Sequence, residues 1–248
     1  MSTYFIYFQT VTALSGCCPS VIAALSVRNS YNCGALGYHV ERLAEHGLVG
    51  LGFTNAPASI APVGGAMPVI GTNPFALGVP DGDGGAAFVI DQSASVIAKS
   101  EIMVRAQVGK PIPVGWALDT EGNPTNNAEF ALMGSMLPSG GYKGFGVGLM
   151  VEIFAAALAG ANLGKDASPF SGTTGGPPRT GQFFIAVAPN TFSGGVFDAK
   201  MSDLTQAITD QPCARLPGSK RRSNRSQHDR DGISIEEALL ECIKTLKT

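Results

Sequence analysis

The sequence predicts an α/β fold: a sheet flanked by helices. Three observations carry this expectation. Short apolar, β-branched runs recur between turn signals, segments with apolar residues at helical spacing alternate with them, and 32 glycines in 248 residues mark many tight turns. Hydrophobic residues make up 44% and charged residues 15%, a balance that buries a sizeable core and excludes a disordered chain. The formal net charge of −2 excludes broad attraction to nucleic acid or to an anionic membrane. Five cysteines, Cys17, Cys18, Cys33, Cys213 and Cys242, have no metal-ligand spacing. They read as free thiols in a reducing cytosol, so a cytoplasmic location is expected.

The apolar run Tyr4–Leu14 lacks a preceding Lys or Arg and is too short for a membrane span, so it reads as a buried strand or helix. Val21–Val27 predicts a strand that ends in a polar loop at Arg28-Asn29-Ser30. Leu36, Val40, Leu43 and Ala44 predict a helix over 37–46, with Gly47 as its C-cap. Val49–Thr54 predicts the next strand. Residues 56–80 read as loop apart from a strand at Pro74–Val79, and Ala86–Asp91 reads as another strand. Ser95–Val108 is helical in pattern, whereas Pro111–Pro124 is loop. Gly144–Ala161 is apolar nearly all round and predicts a buried core helix. A glycine loop at 171–181 leads to a strand at Gln182–Val187. Met201, Leu204 and Ile208 predict a helix after Phe192. Lys220–Arg230 carries five Lys or Arg residues and reads as a solvated segment. Ile235–Leu246 closes the chain as a helix.

The residues alone carry little recognisable chemistry. There is no Walker loop and no Gly-x-Gly-x-x-Gly opening a βαβ unit. Gly144-Phe145-Gly146-Val147-Gly148 leads into a helix, where backbone amides can meet an anion, but close packing explains it equally well. No nucleophile motif is present. His39, on a polar helix face, His46 and His228 are scattered and read as surface residues. To this point the chain is a glycine-loop α/β protein able to bind a small anionic ligand.

Several segments go further. Arg28-Asn29-Ser30-Tyr31-Asn32-Cys33-Gly34, Asn55-Ala56 with Pro62-Val63-Gly64-Gly65, and Ile70-Gly71-Thr72-Asn73-Pro74-Phe75-Ala76 occur in order. Asp91-Gln92-Ser93-Ala94-Ser95, Gly115-Trp116-Ala117-Leu118-Asp119, Gly122-Asn123-Pro124-Thr125, Gly140-Gly141-Tyr142-Lys143-Gly144 and Arg215-Leu216-Pro217-Gly218 follow them. In this order they resemble the malate/L-lactate dehydrogenase-like family of NAD(P)H-dependent oxidoreductases, from about Val21 to the C-terminus. The resemblance implies an α/β, non-Rossmann fold with a mixed sheet and flanking helices. It also implies a homodimer and an extended cofactor cleft. Within the family the chain looks most like reductases of the cyclic imino acids Δ1-pyrroline-2-carboxylate and Δ1-piperideine-2-carboxylate. The implied cofactor is NADPH in preference to NADH, and the implied partner is a small cyclic imino acid or 2-oxo acid, with neither nucleic acid nor membrane.

Site residues follow from the same resemblance. Cofactor contacts are implied at Ser30, Tyr31, Asn32, Cys33 and Gly34, at Asp91, Gln92 and Ser93, and at Tyr142 and Lys143. Another stretch comprises Arg215, Leu216, Pro217, Gly218, Ser219, Lys220 and Arg221, whose cations suit phosphates, a 2′-phosphate included. Thr72 and Asn73 match substrate contacts. Glu101 is the candidate carboxylate for orienting a catalytic imidazole, a role that requires fixing one tautomer and supporting the charged form. Asp91 competes with it.

Two departures accompany these matches. The family's catalytic Ser-His pair lies upstream of the segment matching Ser30, and the sequence contains no Ser-His dipeptide. Residues 1–20 are expected to be an atypical segment of a chain that begins late, and 21–248 the cofactor-binding and dimerisation region of the fold. Asn32 stands where many members carry His. A 2-hydroxy-acid dehydrogenase of the malate, lactate or ureidoglycolate type, and a non-catalytic remnant that binds nucleotide or dimerises, remain alternatives.

Overall fold

The structure, a computed structural model, describes residues 21–172 and 175–246. The expected Tyr4–Leu14 element lies outside the described residues. A five-stranded sheet organises the molecule. Its strands are β1 (Ile22–Ser30), β2 (Val49–Thr54), β3 (Phe75–Pro80), β4 (Ala86–Gln92) and β8 (Thr180–Val187), in the order β1-β8-β2-β3-β4. Every neighbouring pair is antiparallel. The expected α/β fold with flanking helices is present, but its large sheet is antiparallel where a mixed one was expected. The reason is topological. β1 and β2 run in the same direction, and β8 enters between them in the opposite one, pairing Ala24 and Leu51 with Ile185.

Residue alternation builds a layer on each face of this sheet. Helix α1 (Leu36–Ala44) buries Leu36, Val40 and Ala44 against Ala76, Val89 and Phe184. The approach is close enough that a Cβ at Gly78 would collide with the Val40 carbonyl. On the opposite face Phe53, Phe154 and Phe183 cluster around Val151 and Ala155. Phe53 and Phe154 stack with ring centres 4.9 Å apart.

A second core gathers Ile60, Ile70, Ile102, Ile112 and Met136. Helices α2 (Lys99–Gln107) and α3 (Ala128–Met133) enclose it, together with a small sheet of β5 (Ala117–Leu118), β6 (Pro124–Thr125) and β7 (Ser135–Met136). These two-residue strands were invisible to a period-2 reading and lie partly in the expected 111–124 loop.

Helix α4 (Tyr142–Glu152) continues into a π-helical turn at Ile153–Leu158. The expected fully buried helix is thus corrected. Gly144, Gly148, Val151, Glu152, Ala155 and Ala156 face inward, while Leu149, Met150, Ile153 and Leu158 are exposed. Small residues let the backbone approach the core and leave the larger apolar ones outside. The first strand also extends beyond its expected end, through a register irregularity between Val27 and Ser30.

After β8 come α5 (Pro189–Ser193), α6 (Phe197–Thr209), α7 (Ser219–Asp231) and α8 (Glu237–Thr245). The last three bury no residue. The basic stretch is exposed as expected, but it is helical rather than irregular. Arg221–Asp91 and Arg225–Glu41 ion pairs, at 2.9 and 3.0 Å, tie it to β4 and α1. Among the described residues, no helix is long and apolar enough to cross a membrane, and no metal-ligand cluster occurs.

Candidate functional site

Two open clefts of about 570 and 690 Å³ share Pro74, at the start of β3. Tyr31, Asn32, Cys33, Gly34 and Thr72 line the first. Asp91, Gln92, Ser93, Lys143 and Arg221 line the second. Ten of the expected site residues, spread over more than half the sequence, therefore border two clefts that meet at Pro74.

The other expected residues occupy different places. Ser30 lines a smaller hollow of about 320 Å³ behind Tyr31, Asn32 and Cys33. Tyr142 neighbours Lys143 but is 71% exposed and borders neither cleft. Pro217 and Gly218 lie against β4, where the Val89 N–H donates to the Pro217 carbonyl at 3.4 Å. Arg215, Leu216, Ser219 and Lys220 border neither cleft, so Arg221 is the member of that stretch that reaches one. Glu101 follows the cleft-lining Lys99 and Ser100 but pairs along its own helix with Arg105 at 2.9 Å.

Local chemistry sets the loop after β1. The Asn32 side chain accepts the Gly34 N–H at 2.8 Å, closing a turn. His39, expected on the surface, is buried against Phe184, and its Nε2 lies 3.1 Å from the Cys33 carbonyl oxygen. Burial raises the Cys33 thiol pKa above its ordinary value, a shift partly opposed by a hydrogen bond with Thr54.

Asp91 joins the second cleft to two other elements. Its Oδ2 accepts from the Gly37 N–H and from Arg221 Nη2, both at 2.9 Å. Its Oδ1 has no hydrogen-bond partner among the described residues. A Cβ at Gly37 would lie 2.5 Å from Arg221 Nη1 and 2.7 Å from Asp91 Oδ2, so a side chain there would have to displace this ion pair.

Asn73, an expected substrate contact, is fully buried. Its Oδ1 accepts from the Ala56 N–H at 3.2 Å, and its Nδ2 donates to the Gly148 carbonyl at 2.8 Å and to Glu152 at 2.7 Å. These bonds hold Asn73 at φ 41°, a left-handed conformation disfavoured before proline. Glu152, 5% exposed, also accepts the Gly164 N–H at 2.5 Å. One buried carboxyl and one buried amide thus tie together Ala56, the Thr72–Pro74 segment and Gly164, all around the first cleft. Burial raises the Glu152 pKa, and hydrogen bonds from Gly164, Asn73 and Asn55 oppose the rise.

The sequence reading missed Glu152, Lys99 and Phe170. The apolar character of 144–161 hid Glu152, though a lone carboxylate within such a run is itself a signal. Lys99 lines the first cleft, where burial lowers its pKa, and Phe170 contributes an aromatic ring to the same lining.

Known proteins resemble both the sequence and this fold. The sequence profile described as malate/L-lactate dehydrogenase matches residues 5–244. The (2R)-3-sulfolactate dehydrogenase (NADP(+)) of Chromohalobacter salexigens is 40% identical over 220 residues, covering 89% of this chain and 65% of that protein. The Δ1-pyrroline-2-carboxylate/Δ1-piperideine-2-carboxylate reductase of Pseudomonas aeruginosa is 39% identical over 221 residues, covering 88% and 66% respectively. Among solved structures, Δ1-piperideine-2-carboxylate reductase from Pseudomonas syringae pathovar tomato superposes with a TM-score of 0.87 at 32% identity. That match covers 97% of this chain and 73% of the other. The chain spans about two thirds of the length of the curated relatives it matches.

Proposed function

The chain belongs to the malate/L-lactate dehydrogenase family, and we propose that it reduces Δ1-pyrroline-2-carboxylate or Δ1-piperideine-2-carboxylate to the saturated amino acid with NADPH. The observation that carries this reading is the pair of clefts that share Pro74. Its two ends differ in chemistry. The end with Lys143 and Arg221 offers cations for phosphates, and Asp91 Oδ1 offers an acceptor for a ribose hydroxyl. The end with Thr72 is suited to the small substrate. The residues present therefore fit a dinucleotide at one end and a small acid at the other.

When bound, the nicotinamide supplies a hydride to the imine carbon while a proton reaches the ring nitrogen. The chain's own contribution is position. Tyr31 to Gly34 and Asp91 to Ser93 border the two ends from separate elements, and the Asn73–Glu152 pair fixes the segment between them. Rigid placement of donor and acceptor is where such a site gains most of its rate. We assign Glu101 the orientation of a proton-donating imidazole brought to the first cleft, since among the described residues no histidine lines it. We also infer a cytoplasmic homodimer that prefers NADPH to NADH.

A second reading, a sulfolactate-type 2-hydroxy-acid dehydrogenase, is favoured by the 40% identity to such an enzyme. NADPH absorbance followed with Δ1-pyrroline-2-carboxylate, Δ1-piperideine-2-carboxylate, oxaloacetate, pyruvate and 3-sulfopyruvate separates the two. Preferential oxidation with a cyclic imine is expected. Turnover with an oxo acid alone would transfer the chain to the dehydrogenase reading.

A further inference from the structure

We propose that Lys99 and Phe170 set the specificity of the first cleft, Lys99 as a carboxylate anchor and Phe170 as an aromatic wall, so that it selects small ring-bearing monoanions over extended dianions. The proposal deepens the reductase reading and rests on it for the identity of the ring.

The charge balance of the cleft is the first observation. Among the described residues its lining contains two lysines and no Asp or Glu. Lys165 is already compensated, because its ammonium lies 2.8 and 3.0 Å from the two carboxylate oxygens of Asp166. Lys99 has no hydrogen bond or ion pair among the described residues. Among the described residues the cleft therefore presents one uncompensated positive charge. Partial burial also lowers the Lys99 pKa, so the ammonium sits in an environment that an arriving anion would improve. A single carboxylate answers that demand. A second anionic group, such as a sulfonate, would be desolvated without an equivalent cation.

The aromatic pair is the second observation. Tyr31 and Phe170 are 139 positions apart in the chain, and their rings lie 5.1 Å apart at 57°. The Tyr31 hydroxyl donates to the Phe170 carbonyl, which restrains the pair. Both residues line the same cleft as Lys99. An apolar five- or six-membered ring gains dispersion contact from such a surface, while a linear polar acid does not.

The test uses pyrrole-2-carboxylate, a flat monoanionic ring that cannot turn over. Its binding to the full chain is measured by calorimetry in saturating NADPH, and NADPH affinity is measured separately. The Lys99 ammonium makes no hydrogen bond or ion pair among the described residues, so Lys99→Met removes no described polar contact of the fold. It is expected to weaken pyrrole-2-carboxylate about tenfold or more, whereas Lys99→Arg stays within about threefold of the parent. Phe170→Leu is expected to weaken it about three- to tenfold. NADPH affinity should not change in any variant, and 3-sulfopyruvate should bind the parent less tightly than pyrrole-2-carboxylate. Four results would overturn the proposal: no pyrrole-2-carboxylate binding, unchanged binding by Lys99→Met, an equal loss of NADPH affinity, or tighter binding of 3-sulfopyruvate. Turnover of Δ1-pyrroline-2-carboxylate on the same samples distinguishes the failures. Turnover with an unchanged KM in Lys99→Met sinks this proposal alone. Lys99-dependent binding without any turnover supports the anchor and counts against the reductase reading.

Discussion

Arg221 reaches back 130 positions to donate to Asp91 Oδ2 at 2.9 Å, on the oxygen that also accepts the Gly37 N–H. Helix α7, which buries no residue, is thereby fastened to the sheet at the rim of the second cleft.

Because the Arg221 side chain is 44% exposed, solvent screens this ion pair. Arg221→Ala is expected to cost less than about 1 kcal/mol in urea unfolding. NADPH affinity, by fluorescence titration, should fall about tenfold or more, since a phosphate loses a charge-assisted partner. A stability loss with unchanged NADPH affinity would assign Arg221 to the fold alone.

Asn73→Ala removes three buried hydrogen bonds and leaves a left-handed residue before Pro74. A loss of about 2–3 kcal/mol is expected by chemical denaturation. A loss below about 1 kcal/mol would mean the segment relaxes without it.

Glu152 predicts a pH dependence. Its folded pKa lies above the ordinary 4.5, so its contribution is fully present below that pH and is lost as pH rises through the folded value. Stability of the parent should therefore decline over that window more steeply than that of Glu152→Gln, which cannot titrate. Parallel pH profiles for the two would contradict this.

Cys33 should react slowly. Burial disfavours its thiolate, whereas Cys213 and Cys242 are exposed. Alkylation by iodoacetamide at pH 8, read residue by residue by mass spectrometry, should reach Cys33 last of these three. Saturating NADPH should slow it further. Alkylation of Cys33 first would count against the shielding described.

Among the described residues Ser135 Oγ is buried without a hydrogen-bond partner. Ser135→Ala should therefore raise stability by about 1 kcal/mol, through removal of an unpaired hydroxyl. A lower midpoint in thermal unfolding would reveal an unseen partner.

The legible parts of the sequence were those governed by apolar periodicity. Leu36, Val40 and Ala44 announced their helix, and the β-branched runs announced β1 to β4 and β8. Helix α7 was illegible as a helix because ion pairs to Asp91 and Glu41, distant in sequence, replace an apolar face. His39 was misread because its partners, the Cys33 carbonyl and Phe184, come together only in the fold. At the site, ordered glycine and asparagine segments identified the cleft-lining loops. They did not distinguish Thr72, on the lining, from Asn73, one residue later and fully buried. Lys99 carried no signal, since an uncompensated cation is defined by the acids missing around it.

The insertion of β8 between β1 and β2 also has a temporal consequence. Ser30 meets Thr180, 150 residues later in the chain, so two early strands have no shared neighbour until that strand emerges. At typical synthesis rates of about 5–20 residues per second, that wait lasts on the order of 10–30 s. Throughout it, the edges of β1 and β2 that β8 joins lack that partner. Nascent chains of this topology should therefore depend on holding factors and should refold slowly from dilution, as expected where distant pairings dominate.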